Sequence, residues 1–335
     1  LGFIVGLIIV LAGMYFSGTQ YVADANYIKS LEQGDTQKRL DILAKAISWD
    51  NRNSRYYREA SQASINLLAA ELRKPANRPD GQDQAKIRDL LSSSVNLARQ
   101  ATDRGPQEAD NWMNLALVYQ SLVGLVDGAD QLSEQAYLRA ADVRRGDASF
   151  YNSIGSLYLG EANLLSQLAR SAGANAGNLI GQAEGALIKA EKNFKKAIEI
   201  SDNYGMAIYN LAATYDREGK LSEAIAQLEK IIPANADQPN ILFELGLLYY
   251  RAGRKDNAFN VLQRAVVLLP SFANARWYLA LIYEERRDLT AAAEQLEKIL
   301  ETNKDNKIVL TELDNVKRGK PSIPPAKVID QKPLQ

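Results

Sequence analysis

The sequence predicts an all-α protein built as a solenoid of helix-turn-helix units, with an apolar helix before the first unit. Apolar residues recur at helical spacing along most of the 335 residues, and one block recurs at an interval of 34 residues. The length also exceeds the usual size of one compact core, so either about two domains or an extended array is expected. A repeat array satisfies all three observations.

The composition excludes several kinds of chemistry. The chain has no His and no Cys, which removes zinc sites, disulfides and nucleophiles that depend on His or Cys. Its 40 basic residues equal its 40 acidic ones, and this balance argues against nucleic acid as a partner. We therefore predict a non-enzymatic protein without cofactor or metal. An enzyme that uses only carboxylates, Lys, Ser or Tyr is a remote alternative. Acidic pairs such as Glu284 and Glu285 could serve as general acid and base, but clusters of this kind are usually solvated surface residues paired with neighbouring basic residues.

The N-terminus is apolar, and Asp24 is its first charged residue. The dense part, residues 1–16, would form roughly 24 Å of helix, slightly short of a bilayer core. We interpret residues 1–19 as a transmembrane or assembly helix; a residual signal peptide and a helix buried in its own solenoid are the alternatives. The residues expected to face lipid or a neighbouring subunit are Leu1, Phe3, Ile4, Leu7, Ile8, Val10, Leu11 and Phe16.

Matching residues recur 34 positions apart in the second half of the chain. Each block contains an amphipathic helix, a polar turn with glycine and a second amphipathic helix, which is typical of a solenoid unit. The equivalent residues are Leu211, Leu245 and Leu279; Tyr215, Tyr249 and Tyr283; and Ala224, Ala258 and Ala292.

These blocks resemble the tetratricopeptide repeat (TPR), and the block that begins at Pro239 matches its pattern almost completely. The matching residues are Leu242, Leu245, Gly246, Tyr249, Gly253, Ala258, Leu262, Ala265 and Pro270. The resemblance implies a right-handed superhelix of helix pairs. Extending the register predicts seven repeats over residues 20–306, with starts at Gln20, Ser54, Ala109, Ala148, Gly205, Pro239 and Ala273.

The predicted repeats differ in length and in one packing position. Repeats 2, 3 and 4 carry insertions of 21, 5 and 23 residues, each between the two helices of its repeat. The eighth position of the repeat is small in six of seven repeats, where the paired helices approach closely, whereas Tyr27 stands there in the first. The small residues are Ser61, Ala116, Gly155, Ala212, Gly246 and Ala280.

Two segments follow the last repeat. Residues 307–318 have apolar residues at helical spacing and are predicted to form a capping helix over the final apolar face. Residues 319–335 contain four prolines and no helical periodicity, which predicts a flexible tail.

The family resemblance also implies an inner groove, lined by fixed positions of the first helix in each repeat. In the last three repeats these positions are aromatic or apolar, which suits the capture of a peptide or a helix. The alternative is that the same side chains pack between adjacent repeats as ordinary core. The residues are Met206, Tyr209, Phe243, Leu247, Tyr250, Trp277 and Leu281.

Two functions fit this layout. The first is a membrane-anchored, extracytoplasmic or cell-surface bacterial scaffold that binds a protein or peptide in its groove. The apolar helix, the segments YVADANYIKSLEQGD and RYYREASQ, and the VGLVDGAD insertion have a layout similar to the C-terminal TPR region of bacterial O-antigen ligase-like membrane proteins. The glycan-transferring part of such a protein would then lie upstream. The second is a homo-oligomeric subunit of an extracellular filament, in which the apolar helix packs into a neighbouring subunit.

Overall fold

The structure, a computed structural model, describes residues 2–75 and 81–320 and the side chains from residue 4 onward. The described residues contain helices, turns and no strand, so the all-α prediction is confirmed. The predicted flexible tail lies outside the described residues from residue 321 onward. The chain divides into two compact units, Leu1–Asp202 and Asn203–Gln335.

The first unit is a series of helices in which each helix packs against the next one along the chain. Short turns connect most of them, as expected for antiparallel neighbours. A 3-10 turn, Gly173–Asn175, precedes the last helix. The helices are α1 (Gly2–Leu31), α2 (Thr36–Trp49), α3 (Ser54–Leu72), α4 (Gln84–Arg104), α5 (Ala109–Gln120), α6 (Ala129–Val143), α7 (Ala148–Ala169) and α8 (Ala176–Ile200).

The second unit follows the same plan with shorter helices. Its last helix, α15, lies where the capping helix was predicted and packs against α14. The helices are α9 (Gly205–Arg217), α10 (Leu221–Ile231), α11 (Pro239–Arg251), α12 (Lys255–Leu268), α13 (Ala273–Glu285), α14 (Leu289–Thr302) and α15 (Lys307–Lys317).

Helix starts coincide with most of the predicted repeat starts. Helices α3, α5, α7, α9, α11 and α13 begin at the first residues of predicted repeats 2 to 7. Several helices in the chain are capped by an Asp or Asn side chain that accepts a hydrogen bond from a backbone N–H in the first turn. These caps are Asp35, Asn53, Asp83, Asp147, Asp288 and Asn306.

The small eighth position has a direct structural cause. A Cβ added to Gly155 would lie 2.5 Å from the Phe194 ring of the paired helix, and one added to Gly246 would lie 2.7 Å from Leu262. Because real Cβ contacts are not that short, the paired helices could not approach each other this closely with a larger residue. In the first repeat, Tyr27 instead packs its ring 5.5 Å from that of Tyr56.

The insertions lengthen helices as well as loops. Helices α3 and α4 have 19 and 21 residues, and α7 and α8 have 22 and 25, against 13 and 11 in α9 and α10. The buried Glu71 near the end of α3 is held by Lys74 at 2.8 Å and by Lys86 of α4 at 3.5 Å. The hydrogen bond from Lys74 lowers the pKa of this carboxyl. The ion pair between Glu71 and Lys86 thus joins α3 to α4 near the loop that connects them.

Candidate interaction surfaces

Helix α1 exposes its apolar N-terminal part to solvent. All the described side chains from residue 4 to residue 18 are exposed. Among the predicted residues, Leu1 and the Phe3 side chain lie outside the described residues. The others are exposed by about half or more: Ile4 62%, Leu7 49%, Ile8 60%, Val10 52%, Leu11 56% and Phe16 53%. By length and hydropathy, residues 4–31 of this helix could cross a membrane, and its most apolar stretch is not buried. The alternative of a segment buried in its own solenoid is therefore wrong.

The predicted boundary at residue 19 is not a break between helices. Helix α1 continues to Leu31, and packing begins at the half-buried Thr19 and the buried Ala23. The hydroxyl of Tyr56 in α3 donates a 2.6 Å hydrogen bond to Asp24. One helix therefore serves both as the apolar segment and as the first helix of the first predicted repeat.

In the second unit, the predicted groove residues differ widely in exposure. Met206 is 60% exposed, while Tyr209, Phe243, Leu247 and Tyr250 are half-buried. These five residues come from α9 and α11 and are the predicted groove residues that a partner could still reach.

Trp277 and Leu281 are not surface residues. Their exposed fractions are 1% and 3%, because α13 packs against α11, α12 and α14 and is buried along most of its length. For these two residues the alternative of ordinary core packing is correct, and their assignment to a partner surface was wrong. The indole Nε1 of Trp277 is buried without a hydrogen-bond partner.

Phe243 contacts the next predicted repeat. Its ring centre lies 5.1 Å from that of Phe272 and 6.1 Å from that of Tyr278. Tyr278 also meets Tyr250 edge-on at 5.3 Å. Phe272 and Tyr278 stand outside the groove positions of the family pattern, so the repeat register did not indicate them. These ring contacts join the α11–α12 pair to the α13–α14 pair. Phe243 remains half-buried.

Charged groups surround Tyr250. Its hydroxyl donates a 2.9 Å hydrogen bond to Glu285, and the Lys255 ammonium lies 3.4 Å from its ring centre and 2.8 Å from the same carboxylate. Burial, helped by Glu285, raises the pKa of the Tyr250 hydroxyl. The Tyr250 side chain therefore already has polar and charged partners within the protein.

A carboxyl group beside Phe243 was not predicted. Glu244 is half-buried, and burial raises its pKa, with a further increase from the nearby Asp216. Arg217 and Arg251 oppose this shift. Burial also raises the pKa of the Tyr209 hydroxyl, to which Glu244 adds. The partly exposed apolar surface of α9 and α11 therefore includes one carboxyl group, that of Glu244, which burial partly removes from water.

The first unit has a shallow cavity of about 480 Å³ between α4, α5 and α6. It is lined in part by Arg99, Trp112 and Arg139, and the Trp112 indole already donates to the Pro106 carbonyl at 2.8 Å. It contains none of the predicted site residues. Among the residues that the structure describes, no three acidic side chains converge as metal ligands.

Comparison with known families finds tetratricopeptide repeats in two adjoining stretches, residues 182–242 and residues 243–307. The chain therefore contains tetratricopeptide repeats in this region, as the residue pattern predicted. No curated protein matches the sequence. None of the matches supports a relation to O-antigen ligase-like proteins.

Several solved structures are similar to this chain. The C-terminal part of a TPR repeat-containing protein from Cytophaga hutchinsonii has a TM-score of 0.60 and 12% identity, over 88% of this chain and 98% of that one. YrrB, described as a TPR protein with an unusual peptide-binding site, has a TM-score of 0.47 and 16% identity, over 65% and 97%. MamA from Desulfovibrio magneticus RS-1 has 0.44 and 19%, over 59% and 97%. The first match shows a TPR-type helical solenoid.

Proposed function

We propose that this protein is a non-enzymatic scaffold, held at a membrane by the first part of α1, which presents a TPR surface to a peptide or helix of another protein. The observation that carries the proposal is the continuity of α1. A fully exposed apolar segment enters a packed repeat without a break, so a partner for the apolar segment would fix the position of the first repeat directly.

The apolar segment comes close to the length of a membrane span. Residues 2–18 would extend roughly 26 Å at about 1.5 Å per residue, and spans begin at about 17 residues. Exposed apolar side chains surround the whole helix instead of one face, which suits lipid better than a single protein groove. Tyr15 and Phe16, at the end of the segment, are the aromatic residues expected at a membrane interface.

The partner surface that we propose lies on α9 and α11 and is formed by Met206, Tyr209, Phe243, Glu244 and Leu247. Its aromatic and aliphatic side chains would bury an apolar face of the partner. The Glu244 carboxyl, which its surroundings desolvate, would become more favourable beside a basic side chain of the partner. We therefore expect an apolar peptide or helix that carries one Lys or Arg.

Selection from a random displayed peptide library tests this surface. Peptides selected on the full chain in detergent should bind Met206→Asp at least about tenfold more weakly, as expected when an apolar anchor contact is lost. Val267→Asp is the matched control, because Val267 is 77% exposed on α12 and outside the proposed surface. Equal effects of the two substitutions, or no selectable peptide, would contradict the proposed surface.

The filament alternative is favoured by the same exposed segment, which could pack into a second subunit instead of lipid. Electron microscopy of the full chain with detergent removed distinguishes the two functions. Filaments that form without lipid would favour the structural subunit, whereas incorporation into vesicles favours the anchored scaffold. The predicted extracytoplasmic location and the O-antigen ligase-like layout stay predictions.

A further inference from the structure

The turn between α2 and α3 lies beside the point where the apolar segment of α1 ends. The Arg52 guanidinium lies 5.3 Å from the centre of the Phe16 ring. Phe16 belongs to the fully exposed part of α1, and packing begins only three residues later at Thr19. A bilayer that contains the apolar segment would therefore have its surface at the level of this turn.

The residues of this turn suit a phospholipid surface. Trp49 is 51% exposed, and Arg52 and Arg55 are exposed as well. Asp50, the acidic residue among positions 49–55, is buried and pairs with Arg52 at 2.8 Å. Exposed positive charge and an exposed indole thus remain on the outside of the turn.

The next turn along the first unit adds a third arginine. Arg104, at the end of α4, is exposed, and its Nε donates a hydrogen bond to the Asn51 carbonyl. Glu108, the acidic residue of that turn, accepts a hydrogen bond from Ser54 at 3.0 Å and lies 3.8 Å from Arg58. The two neighbouring turns form one surface, the anchor-side edge, defined by Trp49, Arg52, Arg55 and Arg104.

The opposite end of the α1–α2 pair has no excess of basic residues. The turn of residues 32–35 there carries the exposed acidic residues Glu32 and Asp35 and no basic residue. Lys29 and Lys38 flank it on the two helices. The first repeat is thus basic and aromatic where the apolar segment leaves it, whereas Lys29 and Lys38 balance Glu32 and Asp35 at its opposite end.

We infer that the anchor-side edge rests on anionic phospholipid headgroups. This inference depends on the proposed anchoring of α1 and adds a second, charge-dependent contact with the same bilayer. Arginines close to an anionic surface each favour the contact by about fivefold, and indoles concentrate at the membrane interface. Because α1 continues through this edge without a break, the contact would fix the orientation of the first repeat on the membrane.

The test measures how close two positions lie to the lipid headgroups. The chain has no cysteine, so single cysteines can be labelled uniquely with a fluorophore. Ser48→Cys places the label next to Trp49, and Gly34→Cys places it in the turn of residues 32–35, where a Cβ would meet no atom within 4 Å. The full chain is incorporated into vesicles of phosphatidylcholine, with or without phosphatidylglycerol, that contain a headgroup-linked quencher. Flotation of the vesicles is recorded in parallel.

We expect the label at position 48 to be quenched more strongly than the label at position 34, and more strongly with phosphatidylglycerol than without. Arg55→Gln should weaken the contact by about fivefold, and high salt should weaken it further without any substitution. Arg55 is chosen because it is exposed and its guanidinium lies 6.0 Å from the centre of the Tyr27 ring, so its replacement should leave the fold intact.

The possible failures are distinguishable. Protein that floats with the vesicles but shows equal quenching at positions 34 and 48, or quenching that does not depend on phosphatidylglycerol, would overturn this inference and leave the anchoring intact. Protein that does not float would contradict the anchoring itself and, with it, the inference.

Discussion

The Phe194 ring lies directly against Gly155, so that a Cβ at position 155 would fall 2.5 Å from the ring. Phe194 is fully buried in α8, and Gly155 lies in the middle of α7. The contact holds together the two longest helices that form a pair in the first unit. It explains in atomic terms why a small residue is required at this position of the repeat.

Gly155→Val should destabilise the first unit by about 1–3 kcal/mol, the usual cost of overpacking a well-filled core. Thermal unfolding followed by circular dichroism would show a decrease of several degrees. Gly160→Val is the matched control in the same helix, since a Cβ there would meet no atom within 4 Å. Equal unfolding temperatures for the two variants would contradict the close approach of α7 and α8.

Arg287→Gly should stabilise the second unit. Arg287 has φ 62°, in the left-handed region, where Gly219 and Gly253 stand at the equivalent turns with φ 76° and 75°. A side chain in this region costs about 1 kcal/mol, and glycine removes that cost. The unfolding temperature of Arg287→Gly should rise, and that of the reverse control, Gly253→Ala, should fall. A decrease for Arg287→Gly would show that the guanidinium makes a stabilising contact that outweighs the backbone cost.

Glu244→Gln should stabilise the protein at neutral pH and leave its stability unchanged at pH 4. Burial raises the pKa of Glu244 in the folded state, so the folded state holds its proton at pH values where the unfolded chain has lost it. The contribution of Glu244 to the stability of the wild type therefore falls as the pH rises from the unfolded-state pKa through the folded-state pKa. Glutamine does not titrate, and the advantage of the variant should grow over the same range.

Unfolding temperatures of the wild type and Glu244→Gln at pH 4, 5, 6 and 7 measure this effect. Glu294→Gln, an exposed carboxyl on α14, is the control and should show no comparable trend. An advantage of Glu244→Gln that is equal at pH 4 and pH 7 would contradict the raised pKa.

The helical repeats could be predicted because their packing depends on side-chain size at fixed positions. A small eighth residue and a glycine in the turn are local requirements, and both are visible in the sequence. The same pattern placed the starts of α9, α11 and α13, because the equivalent residues lie 34 positions apart. Local signals of this kind were sufficient for the fold.

The surfaces were harder to predict because exposure depends on what packs from elsewhere. Trp277 occupies a groove position by its register, but α11, α12 and α14 pack around its helix and bury it. The end of the exposed segment of α1 was also hard to place, since the change at residue 19 is one of packing within a continuous helix. The contact between Arg52 and Phe16 joins residues that are far apart in sequence, and no spacing pattern indicates it.

Vesicle flotation of the full chain tests the central claim most directly. The wild type should float with phospholipid vesicles, and the double variant Ile8→Arg/Leu11→Arg should stay in the soluble fraction. Each arginine near the middle of a span costs about 2.5–3.5 kcal/mol, so two should prevent insertion. Val267→Arg, at an exposed apolar position of the second unit, should float like the wild type. Flotation of the double variant, or no flotation of the wild type, would contradict the account of α1 as the membrane anchor of a TPR scaffold.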